Sequence, residues 1–129
     1  MEVSAEAARR FFVARQLLSP PRSAAGVLDV FDRLGSVQYD PIAVAGRNHD
    51  LVLHARVAGY EPAWCDRLYE QGELFETPNK GLSFVRMREL PWFRPTSARA
   101  QRVLDEHADV LAHVLERIRA EGPLSSLDF

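Results

Sequence analysis

Apolar residues recur at helical spacing along most of this chain and change to a period of two in one place. Ser4 is a good N-cap for a helix running to about Leu18, where Ser19, Pro20 and Pro21 stop it. Ser23 can cap a second helix, in which Ala24, Val27, Leu28, Phe31 and Leu34 share one face and Gly35 sits where a left-handed C-terminal residue belongs. After Gly35 the period becomes two: Val37 and Tyr39 alternate with Gln38 and Asp40 until Pro41, which predicts a short strand. Asn48 can cap a third helix carrying Leu51, Val52, Ala55 and Ala58 up to Gly59, and Pro62 suits the first turn of a fourth that ends near Gly72. Leu74 and Phe75 read as extended, and Gly81 to Met87, with Leu82, Phe84 and Val85 between polar residues, reads as a short strand or wing arm before Pro91. Thr96 or Ser97 opens a long helix with Val103, Leu104, His107, Leu111, Val114, Leu115 and Ile118 on one stripe, closed by Gly122 and Pro123. Ser125 or Ser126 is one more N-cap, followed only by Leu127, Asp128 and Phe129, so the expectation is a chain truncated where a helix begins.

Composition narrows the class. A chain of 129 residues with 47% hydrophobic content can bury one core. No stretch approaches the roughly 18 apolar residues of a membrane span, and the N-terminus lacks the order of a signal peptide, so a soluble, cytoplasmic protein is expected. The single cysteine, Cys65, excludes an internal disulfide or a cysteine zinc cage and reads as a small buried hydrophobe. His49 and His54 are five apart and His107 and His113 six apart, poor helical ligand spacing, so no metal site is expected. Trp64, Trp92 and Phe93 read as core rather than as base-stacking residues.

The formal charge of -2 is unevenly spread. Thr77 to Leu104 holds six cations (Lys80, Arg86, Arg88, Arg94, Arg99, Arg102) against Glu89, whereas Glu61 to Glu76 holds five anions against Arg67. A basic face beside an acidic one can supply phosphate contacts, although a charge run also serves simply as a solvated helix face.

The strand is where chemistry can be read. Side chains two apart on a strand point the same way, so Gln38 and Asp40 are expected on one face and Tyr39 on the other. A carboxylate beside a reacting sugar can stabilise an oxocarbenium ion or activate a water, and an amide can hold that water. By itself the pair is also what an ordinary edge strand ending in an Asp-Pro turn looks like.

Leu34 to Ile42 with Gln38, Tyr39 and Asp40, then Arg47, His49, Asp50, Leu51 and Leu53, then Arg56, Gly59, Tyr60 and Pro62, together resemble the opening of the YcaQ-type (AlkX-like) winged-helix DNA glycosylases. Leu68, Tyr69, Leu74 to Glu76, Lys80, Leu82, Ser83 and Glu89 to Trp92 extend the resemblance over nearly the whole chain. It implies a mostly α fold with short β-strands (α+β), a winged-helix domain over residues 1–95 and the truncated start of a second over 96–129, as the N-terminal part of a tandem array. It further implies a monofunctional glycosylase that hydrolyses the N-glycosidic bond of N7-alkylated purines, interstrand crosslinks included, with Gln38 and Asp40 as the catalytic residues. Asp40 places the chain with the broader-substrate branch, whose sister branch has Gln there. The implied partner is double-stranded DNA bearing alkylated or crosslinked bases, met by a monomer near the nucleoid without metal or organic cofactor. Arg47, His49, Lys80, Arg86 and Arg88 are the candidate DNA contacts. Two alternatives are a non-enzymatic winged-helix DNA-binding protein of the transcription-factor kind and an inactive fragment. The first is disfavoured because the second helix offers few base-reading donors beyond Arg22 and Arg33.

Overall fold

A computed structural model describes residues 2–19, 24–40, 42–79, 81–93 and 98–129, with backbone only for 98–100. The chain divides into two units, residues 1–93 and 94–129. Pro20, Pro21, Ser23, Pro41, Lys80, Thr96 and Ser97, to which sequence features were assigned, lie outside the described residues.

In the first unit, α1 (Ala5–Arg15) begins as expected, with the Ser4 hydroxyl accepting the Ala7 amide at 3.2 Å. It ends three residues earlier than the prolines suggest. Leu17 takes a left-handed φ of 56°, and the amides of Leu17 and Leu18 donate to the carbonyls of Ala14 and Val13, which closes the helix as a Schellman turn. A left-handed leucine costs about 1–2 kcal/mol. Its side chain offsets that cost by packing against the core.

Helix α2 (Val27–Leu34) buries Val27, Val30 and Phe31 and stops at Gly35, whose φ is 82°. Its predicted first face residue, Ala24, is not helical; it forms a parallel bridge with Val57, which draws the approach to α2 alongside the end of the next helix. Helix α3 (Asn48–His54) turns a different face inward from the one expected. Leu51 is half exposed while His49, Asp50 and Leu53 are buried, because the side against the sheet follows the 49/53 spacing. Asn48 is the first helical residue rather than the cap. Helix α4 (Pro62–Glu70) opens on Pro62, buries Cys65 and closes at Gly72 with a second Schellman turn, in which the Gly72 and Glu73 amides bond Tyr69 and Leu68.

Strands β1 (Val37–Gln38), β2 (Leu74–Pro78) and β3 (Leu82–Arg86) make an antiparallel sheet in the order β1-β3-β2. The registers Val37↔Phe84, Gln38↔Ser83 and Phe75↔Val85 fix it. The ladder on β1 was expected to reach Asp40. Among the described residues its last bond runs from the Tyr39 amide to the Leu82 carbonyl, at the first residue of β3. The core lies between this sheet and the helices, with Phe31, Leu53, Leu74, Val30 and Val85 fully buried. A 3-10 turn, Met87–Trp92, follows β3. Trp92 on it is 83% exposed, which corrects the core assignment; Phe93 makes an edge contact with Phe75. Helical residues with a small three-stranded sheet in this order give an α+β fold compatible with a winged helix.

The second unit corrects the single long helix to two, α5 (Ala98–Glu106) and α6 (Ala108–Glu121). His107, at φ -124° and ψ 36°, leaves the helical region between them, and nothing in its contacts explains the break. Gly122 ends α6. Ser125 then caps a 3-10 turn over Ser126–Asp128 with a full capping box, and Arg117 ties it back by bonding the Asp128 carbonyl and lying over the Phe129 ring. No helix among the described residues is long and apolar enough to cross a membrane.

Leu53 is fully buried where α3 meets the sheet. Leu53→Ala is therefore expected to lower unfolding stability by about 2–5 kcal/mol in urea titrations; a loss below about 1 kcal/mol would show that the core is not centred there.

Candidate active site

Gln38 stands at the end of the paired part of β1 with its side chain exposed, while its strand neighbour Val37 is buried. Its carbonyl accepts the Asn48 side-chain amide at 3.0 Å, which binds the strand to the first residue of α3. Its side chain runs beside Gly81 in the β2–β3 turn: a Cβ on Gly81 would sit 3.7 Å from Gln38 Nε2. Gly81 also has φ +140°, a conformation that other residues rarely take, so the turn is held close to Gln38 by a residue suited to that shape. Asn79 fixes the same turn from the other side, donating to Ser36 Oγ at 3.0 Å just before β1.

Asp40 lies past the ladder, half-buried. Its Oδ1 accepts the Ile42 amide at 2.9 Å, an Asx-type turn in place of strand pairing. Among the described residues none hydrogen-bonds its second oxygen. Between the two, Tyr39 turns inward. Its ring stacks on His49 at 5.3 Å and 27° and tilts against Phe84 at 4.8 Å, while His49 meets Phe84 edge-on at 5.2 Å.

The candidate DNA contacts are placed very differently from one another. His49 is fully buried with no hydrogen bond on either ring nitrogen and Asp50 Oδ1 3.8 Å from Nε2, so it has no surface to offer a phosphate and serves the interior instead. Arg47 is half-buried and spent on two carboxylates: Nε meets Asp50 at 2.5 Å, and the two terminal nitrogens meet Asp66 on α4 at 3.0 and 3.2 Å. These bonds raise its pKa further above the ordinary arginine value. Burial pushes the Asp50 carboxyl up, but hydrogen bonds from Arg47 and from Tyr60, whose hydroxyl donates at 2.6 Å, outweigh it and hold the carboxyl below its usual range. Arg86 is mostly buried and bonds Asp32 at 2.9 Å, with Glu73 at 3.7 Å. Arg88 shares Asp32 at 2.8 Å and is the most exposed of the described four, at 57%. Lys80 is outside the described residues. Gln38 is thus tied to Asn48 through its carbonyl and Asp40 to its own turn through Ile42, whereas Arg86 and Arg88 gather on Asp32 instead.

Sequence reading missed Asn48 as a strand anchor and the Arg47–Asp50–Asp66–Tyr60 network. The three-residue step from Arg47 to Asp50 at a helix start was a usable signal for the first pair; the bond to Asp66 spans 19 residues and leaves no local trace. Cys65 is buried, its thiol pushed up to about 12 mainly by that burial, which matches its reading as a small hydrophobe.

Residues 31–129 match the family described as DNA glycosylase AlkZ-like, and the chain belongs to that family. The activity of this family is DNA glycosylase activity, with DNA as its substrate. No solved structure matches the chain.

Burial is the largest influence on His49 and pushes its imidazole below the ordinary 6.5; Asp50 and Asp66 oppose this and Arg47 adds to it. The unfolded chain therefore takes up a proton near pH 6.5 that the folded one refuses until lower pH. Stability from this group is complete above about pH 6.5 and declines as the pH falls towards the folded value. Urea titrations at several pH values should show a shallower acid-side decline in His49→Phe than in the parent. Equal slopes would assign the decline to other groups.

Proposed function

We propose, from membership of the AlkZ-like DNA glycosylase family, that the chain is the N-terminal part of a monofunctional glycosylase. It hydrolyses the N-glycosidic bond of N7-alkylated purines, including those in interstrand crosslinks, with a water held between Gln38 and Asp40. The observation that supports this best is the pair itself: an exposed amide on the last paired residue of β1, and two residues on a carboxylate with one oxygen anchored and the other, among the described residues, without a hydrogen bond.

Alkylation at N7 makes the purine cationic, so the base leaves with the electron pair of its bond to C1′ and no strong general acid is needed. The water oxygen bonds to C1′ on the opposite face, and Asp40 accepts the proton released. Gln38 orients the water through its amide. The chemistry calls for no metal or organic cofactor. The working form on this reading is a monomer in a tandem winged-helix protein, in which residues 1–95 are the first domain and residues from 96 begin the second, acting on duplex DNA in the cytoplasm at the nucleoid. Of the described candidate contacts Arg88 is the best exposed to reach a phosphate, and Lys80, between β2 and β3 in sequence, is a second.

A transcription-factor role has less support. The second helix of the α3–α4 pair is α4, the element a helix-turn-helix would lay in the major groove. Against one exposed arginine, Arg67, it carries Asp66, committed to Arg47, and Glu70, with Glu61 just before it, so acids outnumber donors where base readers present donors.

The test is excision of N7-methylguanine from duplex DNA by the full-length protein, scored as abasic sites. Asp40→Asn and Gln38→Ala should each slow single-turnover excision by about a hundredfold or more, the usual size of a lost acid–base partner. Parent-like rates in both would overturn the site.

A further inference from the structure

The five residues after the Asp-Pro step, Ile42, Ala43, Val44, Ala45 and Gly46, contain no polar side chain. Exposed loops are ordinarily built from Gly, Pro, Asn, Asp and Ser, whose side chains are either solvated or bonded to their own backbone. Here Ile42 is 71% exposed and Val44 95% exposed, the latter almost as open as in an extended peptide. A single exposed aliphatic residue needs no explanation, but two on one charge-free crest beside a polar site do.

The loop is fastened at both feet. At one end the Ile42 amide is bonded to Asp40 Oδ1 at 2.9 Å, so the crest starts from the carboxylate itself. At the other, Gly46 takes φ +144° with the Leu51 side chain pressed against it, where an added Cβ would lie 3.2 Å from Leu51 Cδ2. The next residue, Arg47, is clamped by Asp50 and Asp66. Fixed feet and an apolar crest suit insertion into something that is itself apolar inside and charged outside.

DNA, the substrate of the family, has that character when it is a duplex. Its base stack is the apolar interior, and aliphatic side chains such as Ile are known to enter base steps and unstack them. A reacting nucleotide must leave the stack to bring C1′ within reach of a protein carboxylate, and unstacking has a cost that something must offset. We propose that the 42–46 loop is an apolar wedge that enters the base stack of duplex DNA next to the damaged nucleotide, with Ile42 and Val44 as the inserted side chains. This rests on Gln38 and Asp40 being the reacting pair, because the bond from Asp40 to Ile42 is what puts the wedge at the lesion rather than elsewhere on the duplex. The absence of charge on the crest lets it approach bases without desolvating an ion.

The experiment uses the full-length protein and a duplex holding one N7-methylguanine with 2-aminopurine as its neighbour, whose fluorescence rises when it is unstacked. The parent and Asp40→Asn should both raise the fluorescence on binding, since insertion does not require excision. The double variant Ile42→Ser with Val44→Ser should lose most of that rise. It should also excise from the duplex at least about tenfold more slowly, the scale of losing an aliphatic side chain's burial. The same variant should lose little on a substrate whose lesion faces an abasic site and is already loosely stacked. Ile42→Leu with Val44→Leu should restore both signals. A parent-like fluorescence rise and duplex rate in the serine variant would overturn the wedge, as would equal losses on the two substrates, which would mark a general effect on the fold. Should Asp40→Asn and Gln38→Ala excise normally, the catalytic reading fails, while the fluorescence arm still decides the loop.

Discussion

One half-buried guanidinium ties the start of α3 to α4 in the first unit. Arg47 grips Asp50 on its own helix and Asp66 on α4, and Tyr60 completes Asp50 from the connecting segment. A planar fork facing two carboxylates is the arrangement in which arginine outperforms lysine, because each bond is aimed rather than merely attracted. Taking Arg47 away would leave the largely buried Asp50 with the Tyr60 hydroxyl as its one hydrogen-bond donor among the described side chains and a neutral His49 beside it, and an unpaired charge at such depth is among the costlier defects a fold can carry. The first turn of α3 is thereby fixed in place. From that turn Asn48 reaches the backbone of Gln38, and His49 reaches the ring of Tyr39.

The placement of the Gln-Tyr-Asp segment follows from these two attachments. With Asn48 on its carbonyl and Tyr39 drawn under the sheet against His49 and Phe84, β1 cannot slip by one residue without exposing Val37 and Tyr39 together. Gln38 is left facing outward. The cost is a fully buried imidazole without a hydrogen bond, which a phenylalanine of similar shape would avoid. Flat ring-to-ring contact with Tyr39 and an edge contact with Phe84 recover part of it. The nitrogen nearest a charge is Nε2, 3.8 Å from Asp50 Oδ1, beyond hydrogen-bond length.

What was legible in the sequence was whatever depends on neighbours along the chain. The change of period after Gly35, the glycines that end α2 and α4, the Ser4 and Ser125 caps and the β3 segment all rest on local stereochemistry, and all appear where that stereochemistry puts them. The misses depend on partners distant in sequence. Leu53 rather than Leu51 became the core residue because the sheet, not the helix, chooses the face. The partners that His49 and Arg47 take, Tyr39 and Asp66, lie on other elements and left no local trace at the start of α3. Leu17 could end α1 in a left-handed turn only because the core receives its side chain, and the last bond of β1 among the described residues, from Tyr39, runs to Leu82 on β3. For the candidate site the residue types and their spacing were readable, but not the anchors that hold them.

The early end of the ladder matters chemically. Had β1 run on to Asp40, that residue's backbone would be tied into the sheet and both its carboxylate oxygens would be left to solvent. Instead the chain leaves the sheet after Tyr39, and one carboxylate oxygen turns back to accept the Ile42 amide. That single bond orients the whole group, since fixing one oxygen of a planar carboxylate fixes the direction of the other. Gln38 keeps the rigidity of a paired strand two residues away. An amide on a paired strand and a carboxylate oriented by its own turn are both held in place before any ligand arrives, and on the proposed reading that preorganisation would let a weak base suffice against a leaving group that already carries a positive charge. The loop that begins at the same amide inherits the same orientation, so the position of the carboxylate and the position of the apolar crest are set by one hydrogen bond rather than by two independent features.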